Sequence, residues 1–237
     1  MARVVLAEVD STMAEAQRRL TSLAAPTWIL AHRQTAGRGR RGRGWSDPGG
    51  NFAATLVMRT EEDPGRLALR SFVAALALRD ALIALGAAET ALALKWPNDV
   101  LLNGGKLSGI LLESPGAGVL AIGIGVNLAN APTAEPGVAF APVSLAAETG
   151  LAVAPETLLD HLAPAFARWD NRLRDFGFQP VKAAFLRHAA RLGQPLVART
   201  HHADHTGTFE TLDDDGALVL RTAEGRLTIP AADIFFP

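Results

Sequence analysis

The chain has no cysteine, which removes disulfides, thiolate metal sites and cysteine nucleophiles together and fits a reducing cytosol. It has no excess of one charge: 23 Lys and Arg against 24 Asp and Glu leave a formal net charge of -1, so bulk electrostatics does not advertise a nucleic-acid binder. No apolar run approaches the roughly 20 residues that span a bilayer, and Glu8 and Asp10 interrupt the apolar start too early for a signal peptide. Internal repeats and low-complexity tracts are absent as well. What is present, 49% hydrophobic and 20% charged residues in a chain of 237, describes a globular protein with room for one substantial core and a small extra domain.

Lysine is scarce, with only Lys95, Lys106 and Lys182. Arginine, by contrast, is concentrated in Gly37-Arg38-Gly39-Arg40-Arg41-Gly42-Arg43-Gly44-Trp45. Glycine tolerates positive φ and lets backbone approach a ligand, while arginine stays charged and offers forked donors that match phosphate or carboxylate oxygens. Such a loop could wrap a nucleotide or bind nucleic acid, and the plain alternative is a solvated charge run.

Apolar, strand-length pieces occupy 3–9, 27–32, 52–58, 91–95, 100–102, 107–113 and 119–126, so the basic loop lies between two sheet strands. Helices are expected over 12–23, with Thr12 and Glu15 as a capping box, and over 66–85, 155–176 and 181–192. Asn103-Gly104 is a hairpin signal, Ser114-Pro115-Gly116 reads as the next turn, and 131–142 reads as a loop. Past Gly193-Gln194-Pro195 the helical period gives way to short strands at 196–200, 206–212, 217–221, 227–229 and 234–236. The expected class is α+β: a mixed β-sheet domain with helices on one face over 1–190, and a small five-stranded C-terminal β-barrel over 191–237.

Three more segments carry chemistry. Lys95-Trp96-Pro97-Asn98-Asp99 sits at a strand end and aims polar side chains out of a loop, or is a turn with a packed tryptophan. Gly104-Gly105-Lys106-Leu107-Ser108-Gly109 sets a rare lysine among glycines, without the spacing or following helix of a Walker A loop. Gly123-Ile124-Gly125-Val126-Asn127 lets backbone approach a ligand and ends on an amide that could read a base edge. His201, His202 and His205 read as a surface loop rather than a metal site, and Trp28, Trp96 and Trp169 as core or interface rather than stacking platforms.

Taken together, Gly37 to Trp45, Ser46-Asp47-Pro48-Gly49-Gly50-Asn51, Lys95 to Asp99, Gly104 to Ile110 and Gly123 to Leu128 resemble, in order and spacing, the biotin protein ligases (biotin-[acetyl-CoA-carboxylase] ligases). Asp10-Ser11-Thr12 and Gln34-Thr35-Ala36 are similar to further motifs of that family, and the resemblance runs through the C-terminal barrel, which implies a biotin/ATP-binding catalytic domain over 1–190 and a C-terminal SH3-like barrel over 191–237. With its first catalytic strand at residue 3, the chain resembles the ligase-only form without an N-terminal DNA-binding domain. Met13, where many relatives have a polar residue, and Gly44 depart from the pattern.

The resemblance implies a cytoplasmic enzyme of two steps. Biotin and MgATP first give biotinyl-5'-AMP and pyrophosphate. A lysine of a biotin carboxyl carrier protein then takes the biotinyl group. Carried over position by position, Ser11, Thr12, Gln34, Gly37, Arg38, Gly39, Arg40, Lys106 and Gly109 would bind biotin or its acyl phosphate. Arg40, Arg43, Trp45, Lys106 and Asn127 would bind ATP, and Lys106, Arg38, Arg40 and Asp99 would carry catalysis, Asp99 by orienting or deprotonating the acceptor lysine. Asp99 could instead only structure the turn with Asn98. Nothing implies a protein-held metal, a nucleic acid or a membrane as partner. Edge strands of the sheet could support a homodimer or dock the carrier. The alternatives are acyl adenylation of the lipoate-protein ligase kind, a nucleic-acid-binding module with salt-dependent affinity, and a catalytically silent scaffold.

Overall fold

The computed structural model describes residues 1–23, 25–134 and 139–236. The first strand, β1 (Ala2–Leu6), pairs in parallel with β2 (Thr27–Ala31), and a parallel pair needs a crossover. Helix α1 (Thr12–Arg18) is that crossover. It is shorter than the expected 12–23, and the Thr12–Glu15 capping box does not form. Ser11 caps the helix through Oγ, which accepts from the Met13 N–H, while Arg18 and Arg19 engage the Glu15 carboxylate. Thr12 is already the first helical residue, and its hydroxyl donates to Gln34 while accepting from Thr55.

Strand β3 (Phe52–Arg59) follows the basic loop, and Asp63, Pro64 and Gly65 start a short helix α2 (Pro64–Ala68). The chain bends at Leu69 into α3 (Arg70–Ala84), which splits the single helix expected over 66–85. Strands β4 (Leu92–Lys95), β5 (Asp99–Leu102), β6 (Gly105–Gly116) and β7 (Val119–Val126) complete a seven-stranded sheet of order β1-β2-β3-β7-β6-β5-β4, mixed because only the β1–β2 pair is parallel. Asn103 and Gly104 both adopt positive φ, 49° and 81°, as a two-residue hairpin between twisted strands requires. The turn expected at Ser114-Pro115-Gly116 lies later, at Ala117-Gly118, because β6 stays paired with β7 as far as Gly116.

Strand alternation sorts the side chains. Trp28, Leu30, Ala54, Leu56, Ile122 and Ile124 face the main core with α3, α5 (Pro155–Phe176) and α6 (Gln179–Arg187). Ile29 and Val57 face the other way, where Ala16 of α1 covers them. The helical layer on one face is thus α3, α5 and α6, with the crossover α1 added on the opposite face. A five-residue helix α4 (Leu145–Thr149), capped by Ser144, has no counterpart in the sequence reading. Part of the 131–142 loop, 135–138, lies outside the described residues.

Strands β8 (Pro195–Arg199), β9 (Asp204–Leu212), β10 (Leu218–Thr222), β11 (Gly225–Ile229) and β12 (Asp233–Phe235) form a second, antiparallel sheet of order β11-β10-β9-β8-β12. Its inward residues, including Leu196, Phe209, Leu220 and Ile234, join the main core without a break. Trp96 donates its indole N–H to the Gly216 carbonyl at 2.9 Å, tying the β4–β5 turn to the β9–β10 turn. Gly216 has φ 81°, and a Cβ there would stand 2.6 Å from the Phe72 ring.

Helix α3 is buried on nearly every side and carries two buried arginines that the sequence reading did not single out. Arg70, 1% exposed, donates Nε to Asp170 at 2.8 Å and its two terminal nitrogens to Glu62. Arg79 pairs with Glu89 at 2.7 Å. A buried guanidinium is tolerated only when paired, so Asp170→Ala should lower unfolding free energy by about 2–4 kcal/mol, with Glu62 keeping the loss below that of a fully orphaned charge. Urea denaturation checks this, and a midpoint equal to that of the parent chain would contradict it.

Candidate active site

Cross-strand register brings distant residues into one row. Ala31 lies opposite Ala53, Ala53 opposite Gly125, Gly125 opposite Gly109, Gly109 opposite Asp99 and Asp99 opposite Lys95. Directly opposed residues share a face. The row is therefore a trough floored by two alanines and two glycines that ends in a carboxylate and an ammonium, on the face away from α3. It lies in a cleft of about 900 Å³.

The basic loop folds over this trough as a tight hairpin. The Trp45 N–H donates to the Gly37 carbonyl at 2.9 Å and the Gly39 N–H to the Arg43 carbonyl at 2.7 Å, with the chain reversing through Arg41 and Gly42 at φ 57° and 72°. Gly37 forms the neck, where a Cβ would meet the Trp45 carbonyl oxygen at 2.6 Å. Trp45 drops its indole onto the trough: a Cβ at Gly125 would lie 2.5 to 2.8 Å from the ring and one at Gly109 3.1 Å from it. The buried indole Nε1 has no hydrogen-bond partner. Gly123 gives way in the same manner to Met13, whose sulfur would stand 3.0 Å from a Cβ. The Gly123–Gly125 segment thus accommodates the chain's own side chains while it lines the cleft.

The four guanidiniums of the loop do not form one patch. Arg40 turns inward, half-buried, and donates to Asn98 Oδ1 at 3.1 Å. Burial pushes its pKa down, and a guanidinium remains charged through such a shift. Arg41 and Arg43 turn outward onto Asp233 of β12, at 2.7 and 3.3 Å. Arg38 stands 3.7 Å from Glu113.

At one end of the trough, Asp99 is 5% exposed and sits between two lysines. Lys95 Nζ donates to Oδ2 at 3.0 Å, and Lys106 Nζ lies 2.8 Å from Oδ1, close enough for an ion pair but off the line of a hydrogen bond. Burial raises the Asp99 pKa, but the two ammoniums outweigh it and hold the carboxyl below its ordinary range. At the other end, Gln34 Oε1 accepts from the Thr12 N–H and hydroxyl at 2.8 and 3.1 Å, and the Thr55 hydroxyl donates to that of Thr12 at 2.8 Å. Asn127 donates Nδ2 to the Val143 carbonyl at 3.0 Å and leaves a buried Oδ1 without a partner.

Ser11, Thr12, Gln34, Arg38, Gly39, Arg40, Arg43, Trp45, Asp99, Lys106, Gly109 and Asn127 all line the cleft. Gly37 does not, since it serves as the loop's neck. The sequence reading missed Thr55, Phe140 and Asp233. None belongs to a local motif, and only the tertiary fold delivers Asp233 from the last strand to a loop 190 residues earlier. Among the described residues no three His, Asp or Glu side chains are grouped as metal ligands, and His201 and His202 are exposed in the β8–β9 turn.

A methyl group at Gly125 cannot coexist with the indole. Gly125→Ala is expected to lift Trp45 out of the trough, costing about 1–3 kcal/mol and shifting tryptophan emission to the red, since Trp28 and Trp96 are already buried. An unchanged emission spectrum would place the indole elsewhere.

Comparison with known proteins agrees with this geometry. Residues 5–128 match the model of the biotin/lipoate A/B protein ligase family, and residues 192–236 that of the biotin protein ligase C terminal domain. The chain is 57% identical to the biotin--[acetyl-CoA-carboxylase] ligase of Paracoccus denitrificans, over 98% of this chain and 99% of that one. Its structure resembles that of a biotin protein ligase from Aquifex aeolicus in complex with biotin and ATP, with TM-score 0.84, 26% identity and coverage of 98% and 97% of the two chains. It also resembles a biotin protein ligase from Leishmania major in complex with biotinyl-5-AMP, with TM-score 0.71, 26% identity and coverage of 97% and 99%.

Proposed function

From a chain that belongs to the biotin/lipoate A/B protein ligase family, we propose the activity of a biotin-[acetyl-CoA-carboxylase] ligase: ATP-dependent formation of biotinyl-5'-AMP, then transfer of biotin to a lysine of a biotin carboxyl carrier protein in the cytoplasm. The observation that carries it is the convergence of Lys106 and Arg40 beside a buried Asp99, in a cleft with an amide and hydroxyl cluster at one end and the unpartnered Asn127 oxygen in its wall. Residues 1–190 would hold biotin and nucleotide. Residues 191–237 would contribute a wall through Asp233.

In the first step the biotin carboxylate attacks the α-phosphorus of ATP and pyrophosphate leaves. Two anions must approach, so fixed positive charge has to offset their repulsion and the charge that grows on the phosphoryl oxygens. Lys106 and Arg40 are within the cleft to do this, with Arg38 and Arg43 at its rim. Ser11, Thr12 and Gln34 would hold the ureido end of biotin by hydrogen bonds, and Asn127 Oδ1 is an acceptor suited to the exocyclic amine of adenine. Magnesium would enter on the nucleotide phosphates, because Asp99 is already committed to two lysines. The hairpin with Trp45 would exclude water from the mixed anhydride.

In the second step the acceptor amine attacks the acyl carbon of the adenylate and AMP departs. Asp99 would receive and orient the acceptor lysine. Its depressed pKa suits it to holding the incoming ammonium, which must give one proton to solvent before it attacks, while the second proton passes from the nitrogen to the departing AMP phosphate. A nucleic-acid role for the loop is disfavoured, because Arg40, Arg41 and Arg43 already have partners within the chain.

Pyrophosphate release from MgATP should require biotin and not respond to lipoate. Lys106→Ala should slow it by about 10²- to 10³-fold. Release driven by lipoate alone would move the chain to the other branch of the family. Asp99→Asn, supplied with preformed adenylate, should slow transfer to the carrier by about 10- to 100-fold, and unchanged transfer would remove Asp99 from the second step.

A further inference from the structure

The adenylation chemistry engages Lys106 and Arg40 and gives Lys95 no task. Lys95 nevertheless ends β4 directly opposite Asp99, with its side chain 10% exposed and its ammonium 3.0 Å from Asp99 Oδ2. The Phe140 ring covers that ammonium at 4.7 Å from its centroid and is itself packed edge-on against Phe236 at 4.6 Å. A buried ammonium is costly unless it is paired, and here the pairing is fixed by strand register on one side and an aromatic cover on the other.

The two cations on Asp99 are therefore not equivalent. Lys95 is walled in. Lys106 is 34% exposed in its side chain, faces the open cleft, and meets Oδ1 off the hydrogen-bond line. The charged groups around Asp99 are Lys95 from β4, Lys106 from β6 and Arg40 from the basic hairpin. If Lys106 moves onto the reacting phosphate, it leaves a carboxylate that is almost wholly buried. Were Asp99 to lose its last close cation at that moment, the cost of the orphaned charge would hold Lys106 back.

We propose that Lys95 is a positioning residue that keeps Asp99 charge-compensated and in place, so that Lys106, the movable cation on the same carboxylate, is free to leave it for the acyl phosphate. The proposal rests on the ligase reading above. It also implies that a proton can stand in for Lys95. When Lys95 is absent, protonation of Asp99 removes the charge that retains Lys106, and the lost rate returns as pH falls.

The test is biotin-dependent pyrophosphate release by the full chain, measured from pH 8 to pH 6 for the parent, Lys95→Met and Lys95→Arg. Lys95→Met should lower kcat by about 10- to 100-fold at pH 8 with little change in the KM for biotin. The deficit should shrink as pH falls, and Lys95→Arg should recover most of the rate. A deficit of the same size at every pH, or one confined to KM, overturns the proposal. If Lys95→Met does not fold, Asp99→Asn is compared with and without Lys95→Met. With no carboxylate to hold, removal of Lys95 should change kcat by less than about twofold, and a larger loss overturns the proposal. Absence of release from the parent chain overturns the ligase reading and this one together, whereas a pH-independent deficit overturns the role of Lys95 alone.

Discussion

The site depends on one steric constraint, the row of small residues that β-register lays across the sheet at Ala53, Gly125 and Gly109. A side chain at either glycine would occupy the volume now filled by the Trp45 indole. With the indole displaced, the basic hairpin would lose the anchor at its C-terminal end. Arg40 would then lose the support that turns it inward toward Asn98. The same row carries Asp99 and Lys95 at its end, so a single pattern of strand pairing sets both the depth of the trough and the position of its charges.

The electrostatics follow from burial rather than from net charge. An almost neutral chain concentrates its strongest fields where water is thin: Asp99 between Lys95 and Lys106, and Arg70 between Asp170 and Glu62. The two clusters use opposite logic. The Arg70 cluster locks α3 to α5, with the buried guanidinium bonded on both sides. The Asp99 cluster pairs a fixed cation with an exposed one, which gives a charged centre that can change partners without being left bare.

Much of this was legible in the sequence, and the rest was not for definable reasons. Helix α5 matches its expected limits because Pro155 opens it and Gly177 closes it. The five C-terminal strands could be found because turn residues separate them. The loop motifs were visible as patterns of arginine, glycine and lysine, and nearly all of their expected residues line one cleft. Pairing order was not visible. Residues 53, 95, 99, 109 and 125 become neighbours only through a register that no local pattern states. The buried charges of α3 were missed because their meaning lies in partners as distant as Asp170, 100 residues on. The capping box failed because Ser11 takes the cap one residue earlier, while distant Gln34 and Thr55 hold the Thr12 hydroxyl.

The clasp between the hairpin and β12 also bears on how the molecule is made. Asp233, which holds Arg41 and Arg43, follows Arg43 by 190 residues. Synthesis is vectorial, and early segments fold while later ones are still in the ribosome. The last strand of the seven-stranded sheet closes at Val126, so that sheet can pair before β12 has been made. The basic hairpin is thus built long before its clasp, and the wall that β12 adds to the cleft is the last part of the site to arrive.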